Sequence, residues 1–282
     1  MSGPAIGELI ERAATRLRTA GVTKPRREAH RLWAWMNRTT PSQVYFGRDR
    51  GADAELAQAF EDAVARRAAG EPLAYLLGST GFRRLELRCD RRALIPRPES
   101  EGLVDLALAR VRQGRAVDLG TGTGCLALAL AQEGAFSEVV ATDLSEDALA
   151  LARENAVLTG LSIRLVRSDL GVGLAGEQFD LVVSNPPYIS EPEYAVLDDS
   201  VKAWEPAMAL VSGPDGLAVT RRMLDEAHSL VLSGGWLVME LDSSRSAIVA
   251  ECAGRAGWTE IDVHDDLFGR PRYLTARQGL AE

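Results

Sequence analysis

The chain is poor in the groups that build cross-linked or metal-held proteins. Its 282 residues include only three cysteines, Cys89, Cys125 and Cys252, with no Cys-x-x-Cys pair. That scarcity excludes a disulfide framework and a structural zinc site, both of which need thiols clustered at short spacing. The three histidines, His30, His228 and His264, are scattered, so each reads as a surface or packing residue and no metal is expected. No apolar run approaches the roughly 18 residues that a bilayer-spanning helix needs. The opening MSGPAIGELIERAATRL carries acids early and has helical periodicity, which is not the pattern of a secretory signal. A cytoplasmic protein is expected. Internal repeats and low-complexity segments are also absent.

Composition is otherwise that of an ordinary globular protein, 46% hydrophobic and 26% charged, and the length suits roughly two domains. The net charge of −8 is unevenly spread. Residues 1–98 hold 18 Lys and Arg against 11 Asp and Glu, a balance of +7, while residues 99–282 hold 14 against 29, a balance of −15. A chain this acidic lacks the electrostatics of a general nucleic-acid binder. The basic first part suits an acidic partner, or its arginines simply solvate helix faces.

The first seventy residues read as helices. Ile6, Leu9, Ile10, Ala13 and Leu17 recur at helical spacing up to Gly21. Pro25 opens a second helix in which Leu32, Trp33 and Met36 share a face, and a third runs through AELAQAFEDAVARRAAG to Gly70. Glu71-Pro72 starts a connector in which FRRLELRC and RALI are expected to pair as a hairpin, leading to the stiff Ile95-Pro96-Arg97-Pro98-Glu99. From residue 99 helix-like and strand-like segments alternate, the pattern of βαβ units around a buried parallel sheet. The domains expected are 1–70, helical; 71–98, a linker; and 99–282, α/β.

The first strand of the alternating series ends in Asp118-Leu119-Gly120-Thr121-Gly122-Thr123-Gly124 and runs into a helix. Glycines there let the backbone turn sharply and approach a ligand beyond the carboxyl ends of the strands. The next strand ends in Asp143, placed to accept hydrogen bonds from ribose hydroxyls; a plain helix-capping role is the alternative. The spacing is GxGxG, not the GxGxxG that receives a pyrophosphate on a helix N-terminus. An adenosine ligand without phosphates fits better, and S-adenosylmethionine is the obvious one. The third strand ends in Ser168-Asp169-Leu170, where Asp169 is placed to accept from an adenine amine beside Leu170, or else only caps the following turn.

The fourth strand, FDLVVS, delivers Asn185-Pro186-Pro187-Tyr188 to the same rim. A planar amide or aromatic amine is a poor nucleophile that no ordinary base deprotonates at neutral pH. A protein can instead accept hydrogen bonds from its N–H groups, aim the lone pair and strip away water. The Asn185 side-chain oxygen and the Pro186 carbonyl suit the accepting, the diproline fixes the carbonyl direction, and the Tyr188 ring suits packing on a planar group. Such a site needs no metal, nucleophilic cysteine or general-base histidine.

With these motifs on nearly the whole chain, the sequence resembles the protein-(glutamine-N5) methyltransferases that modify class I peptide-chain release factors. The resemblance rests on DLGTGTG and NPPYI, on GEPLAYLLG at 70–78 and LIPRPESE at 94–101, on Val201, Glu205-Pro206, Ala209-Leu210 and Gly213-Pro214-Asp215-Gly216-Leu217, and on Asp266-Leu267-Phe268-Gly269-Arg270. It implies a Rossmann-like methyltransferase domain behind a small N-terminal helical substrate-docking domain and a β-hairpin linker. It implies S-adenosylmethionine lined by residues 120–124, Asp143, Leu170 and Asn185, and an acceptor glutamine, from the Gly-Gly-Gln loop of the release factors, held by residues 185–188. Pro98-Glu99 favours the release-factor branch over a sister family that acts on a ribosomal-protein glutamine. Two departures stand out: Ser100 replaces the commoner threonine, and Asp242 stands where the family commonly has glycine, which raises a question of local packing.

Two other classes compete. A DNA or rRNA base N-methyltransferase uses the same Asn-Pro-Pro-aromatic logic on an exocyclic amine, but calls for a basic groove or a target-reading domain. A non-catalytic cofactor-binding module would bind S-adenosylmethionine without turnover, which the complete NPPY motif opposes. An oxidoreductase suits the glycine spacing least.

Overall fold

A computed structural model describes residues 3–280. In chain order, helices α1 (Ile6–Thr19), α2 (Pro25–Met36), α3 (Pro41–Phe46), α4 (Ala54–Ala68) and α5 (Leu73–Leu77) come first, followed by the hairpin β1 (Ser79–Phe82) and β2 (Leu85–Arg88). Next are α6 (Ser100–Arg110), β3 (Gln113–Leu119), α7 (Cys125–Glu133), β4 (Ala135–Asp143), α8 (Glu146–Thr159), β5 (Arg164–Arg167) and β6 (Phe179–Ser184). The short helices α9 (Glu191–Ala195) and α10 (Asp199–Lys202) lead to α11 (Ala218–Leu230), β7 (Val231–Glu240), α12 (Ser246–Arg255), β8 (Thr259–Asp265) and β9 (Pro271–Arg277). The chain forms two compact units. One holds the residues up to Gly78 with Asp198–Trp204, the other Ser79–Leu197 with the residues from Glu205 onward.

The helical unit folds around the apolar stripes of its helices. Leu9, Ile10, Ala13 and Leu17 of α1 are buried against Leu32 and Trp33 of α2 and Phe60 and Val64 of α4. Trp33 meets Phe60 edge to face at 5.0 Å between centroids, a geometry that adds about 1 kcal/mol to the burial of both rings. Helix α3 was not expected from periodicity, because one turn and a half is too short to show it. It is set by Pro41 at the first helical position and by a reciprocal Thr40–Gln43 capping box. Residues 73–77, expected as part of the connector, form α5, which ends at Gly78 with φ +65° and packs Leu76 and Leu77 into the same core.

The second unit is built on a seven-stranded sheet in the order β5-β4-β3-β6-β7-β9-β8. The five strands from β5 to β7 are parallel, while β9 runs antiparallel to β7 and β8 antiparallel to β9. Successive residues of a strand face opposite sides. Accordingly Val117, Val182 and Leu237 pack with α11 and α12, whereas Ala116, Leu181, Val183 and Val238 pack with α6, α7 and the hairpin. The chain moves one way from β3 to β5 and the other from β6 to β7, so the strand order reverses between β3 and β6. A crevice outside the carboxyl ends of the strands is expected at such a reversal.

The hairpin differs from expectation. Its strands are 79–82 and 85–88, with Phe82 opposite Leu85, and Arg83 takes φ +52° in the turn. The RALI run is not a strand. Asp90 captures the Arg92 backbone N–H and guanidinium, which turns the chain away from pairing. Asp242 needs no glycine: its φ is −74°, and its side chain caps the following turn by accepting from the Ser244 backbone N–H at 2.9 Å.

One buried amide joins three elements of this unit. Asn155 of α8 is fully buried; its Oδ1 accepts from the Arg88 N–H at 2.7 Å, and its Nδ2 donates to the carbonyls of Arg88 at 3.1 Å and Thr123 at 2.9 Å. The hairpin, α8 and the glycine-rich loop are thereby tied at one point. Replacing Asn155 by Ala strands these backbone groups away from water, which costs about 2–4 kcal/mol. Urea unfolding of Asn155→Ala measures it, and a loss below about 1 kcal/mol would contradict the assigned role.

Candidate active site

A cavity of about 220 Å³ opens at the reversal between β3 and β6. Its walls include Gly120, Thr121, Gly122 and Thr123 after β3, Asp143 after β4, Asp169 and Leu170 after β5, and Asn185, Pro186 and Pro187 after β6. Ser184 Oγ donates to the Leu119 carbonyl at 2.6 Å, which clasps the ends of β6 and β3 together beneath the cavity. Gly124 and Tyr188 are not among the lining residues.

Glycine is required at the foot of the loop. Gly124 has φ +84°, and a Cβ there would stand 3.2 Å from that of Ala152 on α8. Beneath the loop lies Asp118, wholly buried. One carboxylate oxygen accepts from Thr121 Oγ1 at 2.6 Å and from the Ala127 N–H at 3.3 Å, while the other has no partner. Burial drives its pKa from the ordinary 3.8 up to about 7, against the pull of those two donors. Asp143 receives the Gly122 N–H on one oxygen and the Ser145 N–H on the other, both at 2.9 Å. Burial raises its pKa too, opposed by these backbone donors. The cap of α8 is Ser145, whose hydroxyl accepts from the Ala148 N–H.

Asp169 is half-exposed and pairs with Arg222 of α11 at 2.9 Å. Leu170 has φ +49°, an uncommon conformation for a γ-branched residue, and its carbonyl accepts from Thr142 Oγ1 at 3.1 Å. A strained residue on a cavity wall is where function and conformation tend to coincide.

Beyond β6, Asn185 Nδ2 donates to Ser100 Oγ at 3.0 Å, and Ser100 Oγ donates to Glu240 Oε2 at 2.6 Å. Ser100 and Glu240 are each 1% exposed. The loop is braced from behind: Ile189 N–H donates to the Leu210 carbonyl and Ser212 N–H to the Ile189 carbonyl. Gly216 lies so close that a Cβ would fall 2.6 Å from the Tyr188 carbonyl oxygen. Burial, with Glu240 adding to it, raises the Tyr188 phenol to about 12.

Residues 92–97 also line the cavity and are fixed through charge. Glu205, nearly buried, accepts from Arg97 Nη2 at 2.7 and 2.9 Å and from the Ile95 N–H at 3.3 Å. Arg92 is bound to Asp90 and Glu154. Both arginines of the lining are therefore matched by acids, and the remaining charged groups of the lining, Asp143 and Asp169, are acidic. Phosphates would meet no uncommitted arginine here. A cationic adenosine ligand suits this donor set: carboxylates for ribose hydroxyls, Leu144 and Leu170 for a flat base, and negative charge for a sulfonium.

Ser100, Glu240, Asn155 and Glu205 were not singled out for roles in the site. Glu240 and Asn155 did leave a signal, as polar residues interrupting the apolar pattern of a strand and of a helix face. Ser100 and Glu205 left none beyond their place in the linker and the loop. Among the described residues no helix is long and apolar enough to cross a membrane.

A family model for the methyltransferase small domain matches residues 100–203, and one for the PrmC N-terminal domain matches residues 8–78. The release factor glutamine methyltransferase of Deinococcus radiodurans is 43% identical over 277 residues, covering 96% of this chain and 98% of that one. Among solved structures, a methyltransferase from Pyrococcus furiosus aligns with a TM-score of 0.54 at 19% identity, over 79% of this chain and all of its own. The Thermus thermophilus 16S rRNA N2 G1207 methyltransferase, solved with AdoMet and guanosine, aligns with a TM-score of 0.50 at 21% identity, over 71% of this chain and 49% of its own. Both likenesses concern the fold.

The raised pKa of Asp118 makes stability depend on pH in a definite direction. The folded state holds the proton more tightly than the unfolded one. The associated stability is full below about pH 4, falls as pH rises and is gone above about pH 7. Asp118→Asn carries no charge to bury. Without ligand it should match the parent near pH 4 and exceed it near pH 8 by an amount on the order of 2–4 kcal/mol. Urea unfolding at both pH values tests this; an equal difference at the two would refute it.

Proposed function

The chain belongs to the release factor glutamine methyltransferase family, and we propose that it moves a methyl group from S-adenosylmethionine to N5 of the glutamine in the Gly-Gly-Gln motif of class I release factors. The observation that carries this reading is the shared cavity. Asn185 and Pro186 line it together with a glycine-rich loop whose neighbouring charges are acidic.

The residues would divide the work as follows. Gly120 to Gly124 admit the ligand to the backbone, Asp143 takes ribose hydroxyls, and Asp169 with Leu170 receives the adenine. When bound, S-adenosylmethionine supplies an electrophilic methyl on a positively charged sulfur. Asn185 Oδ1 and the Pro186 carbonyl accept the N–H groups of the glutamine amide, which aims its lone pair along the methyl-transfer axis. Pro187 keeps the Pro186 carbonyl from turning, and Tyr188 supports these two residues with a neutral ring. Desolvation by the surrounding walls removes water that would compete for the same N–H groups. No group has to remove a proton before the methyl arrives. As the C–N bond would form, the carbon–sulfur bond would break, leaving a neutral thioether. The methylated amide nitrogen, then strongly acidic, would pass its proton by way of its carbonyl acceptors to solvent.

The reading of a base methyltransferase is not favoured, since residues 99–282 carry a balance of −15 and residues 8–78 match a PrmC N-terminal domain. With labelled S-adenosylmethionine and a purified release factor, label should enter the factor and disappear when its Gly-Gly-Gln glutamine is replaced. Asn185→Ala should lower turnover about a hundredfold while cofactor affinity changes less than about threefold. Full turnover by Asn185→Ala, or label on a release factor lacking that glutamine, would sink the proposal.

A further inference from the structure

We infer that Ser100 and Glu240 are positioning residues that decide which end of the Asn185 side-chain amide faces the acceptor nitrogen. The inference rests on the proposed role of Asn185 and extends it. Ser100 is the first residue of α6 and Glu240 the last of β7, so two elements fixed in the fold hold the chain of contacts. Both side chains are shielded from water, and the links are short, 2.6 Å from Ser100 Oγ to Glu240 and 3.0 Å from Asn185 Nδ2 to Ser100 Oγ.

Hydrogen inventory fixes the polarity. A serine hydroxyl carries one hydrogen, and an ionised carboxylate carries none. With Glu240 ionised, the Ser100 hydrogen must lie on the Ser100–Glu240 link. Ser100 Oγ then has only lone pairs to offer Asn185, so the amide must present its NH2 and turn Oδ1 to the cavity. The flipped amide would set two acceptors against each other at hydrogen-bond distance. A proton on Glu240 removes this constraint. The carboxylic acid then donates to Oγ, the hydroxyl donates to Oδ1, and the NH2 turns to the cavity, placing a donor where the acceptor amide needs an acceptor.

The charges around Glu240 come from several elements. Burial raises its pKa most, and Glu99 of the linker adds to that, while the Ser100 hydroxyl, Arg272 of β9 and Arg97 of the linker favour the ionised form. Tyr188 from the loop, Tyr273 from β9 and Cys125 at the start of α7 also face it, each held neutral with a pKa near 12. The balance between burial and two arginines leaves Glu240 titrating above the usual carboxylate range. The acceptor end of Asn185 is therefore lost on the acid side and held once Glu240 ionises.

The test compares Ser100→Ala, Ser100→Thr and Glu240→Gln with the parent and with Asn185→Ala. It uses the full chain, a release factor and labelled S-adenosylmethionine. Ser100→Ala should lower kcat about tenfold with cofactor Kd within about twofold, and Ser100→Thr, which keeps the hydroxyl, should restore most of the loss. The parent's kcat should fall on the acid side, and Glu240→Gln should lower kcat near neutral pH and lack that acid limb; a parent without an acid limb would also overturn the inference. Thermal midpoints and cofactor binding confirm that each variant is folded. Equal losses in Ser100→Ala and Ser100→Thr, or an acid limb unchanged in Glu240→Gln, would overturn the inference. If Asn185→Ala is impaired while Ser100→Ala and Glu240→Gln match the parent, the inference fails and the role of Asn185 stands. If Asn185→Ala itself is fully active, both fail.

Discussion

Carboxylates at the rim of the sheet impose the constraint on which the site depends. A buried acid must find donors inside the protein or stay neutral. Asp118, Asp143, Glu205 and Glu240 each solve this differently, and each solution fixes one wall of the cavity. Asp118 takes Thr121 and Ala127 and holds the loop from below, and Asp143 takes Gly122 and holds it from the side. Glu205 takes Arg97 and Ile95 and anchors the proline-stiffened segment that also lines the cavity. Glu240 takes Ser100, and through it the amide of Asn185. The cavity keeps its form because each of these acids is held by at least one donor from the segments that line it.

The alternation of helix and strand after residue 99 was legible because parallel strands buried on both faces are continuous apolar runs, and their turns are marked by glycine, aspartate and proline. The loop at 120–124, Asp143, Asp169 and Asn185 were legible for a related reason: each follows directly on a strand, and parallel strands bring such positions to one rim. The partners of those residues were not. Ser100 lies 85 residues from Asn185 and 140 from Glu240, and Arg97 lies 108 from Glu205. Pairings over such separations depend on the register of β6 against β7 and on where α6 begins, which residue types alone do not specify. The short helices α3 and α5 escaped because a pattern of 3.6 residues cannot repeat in five or six. RALI read as a strand because its composition is β-like, yet Asp90 offers its backbone and Arg92 a nearer set of bonds. At Asp242 the family's usual glycine raised a question of local packing, which the aspartate answers at φ −74° by capping the following turn.

The thiols and the phenol near the cavity suit the proposed reaction because they stay neutral. Burial pushes the thiols of Cys89 and Cys125 and the phenol of Tyr188 to about 12, so none of them supplies an anion at neutral pH. A thiolate or phenolate beside a methylsulfonium would compete for the methyl as a stronger nucleophile than any amide. Keeping these groups protonated removes that competition, and the same acids that shape the cavity help, since negative charge nearby opposes a second ionisation. Asp143 and Asp169 remain the carboxylates on the wall, the first bound to backbone N–H groups and the second to Arg222. Those donors satisfy part of each carboxylate and leave further lone pairs for a ligand's hydroxyl or amine groups. In the proposed reaction the groups that would face the acceptor are an uncharged amide oxygen and a peptide carbonyl, weak as bases and well suited to orient a group that is itself barely nucleophilic.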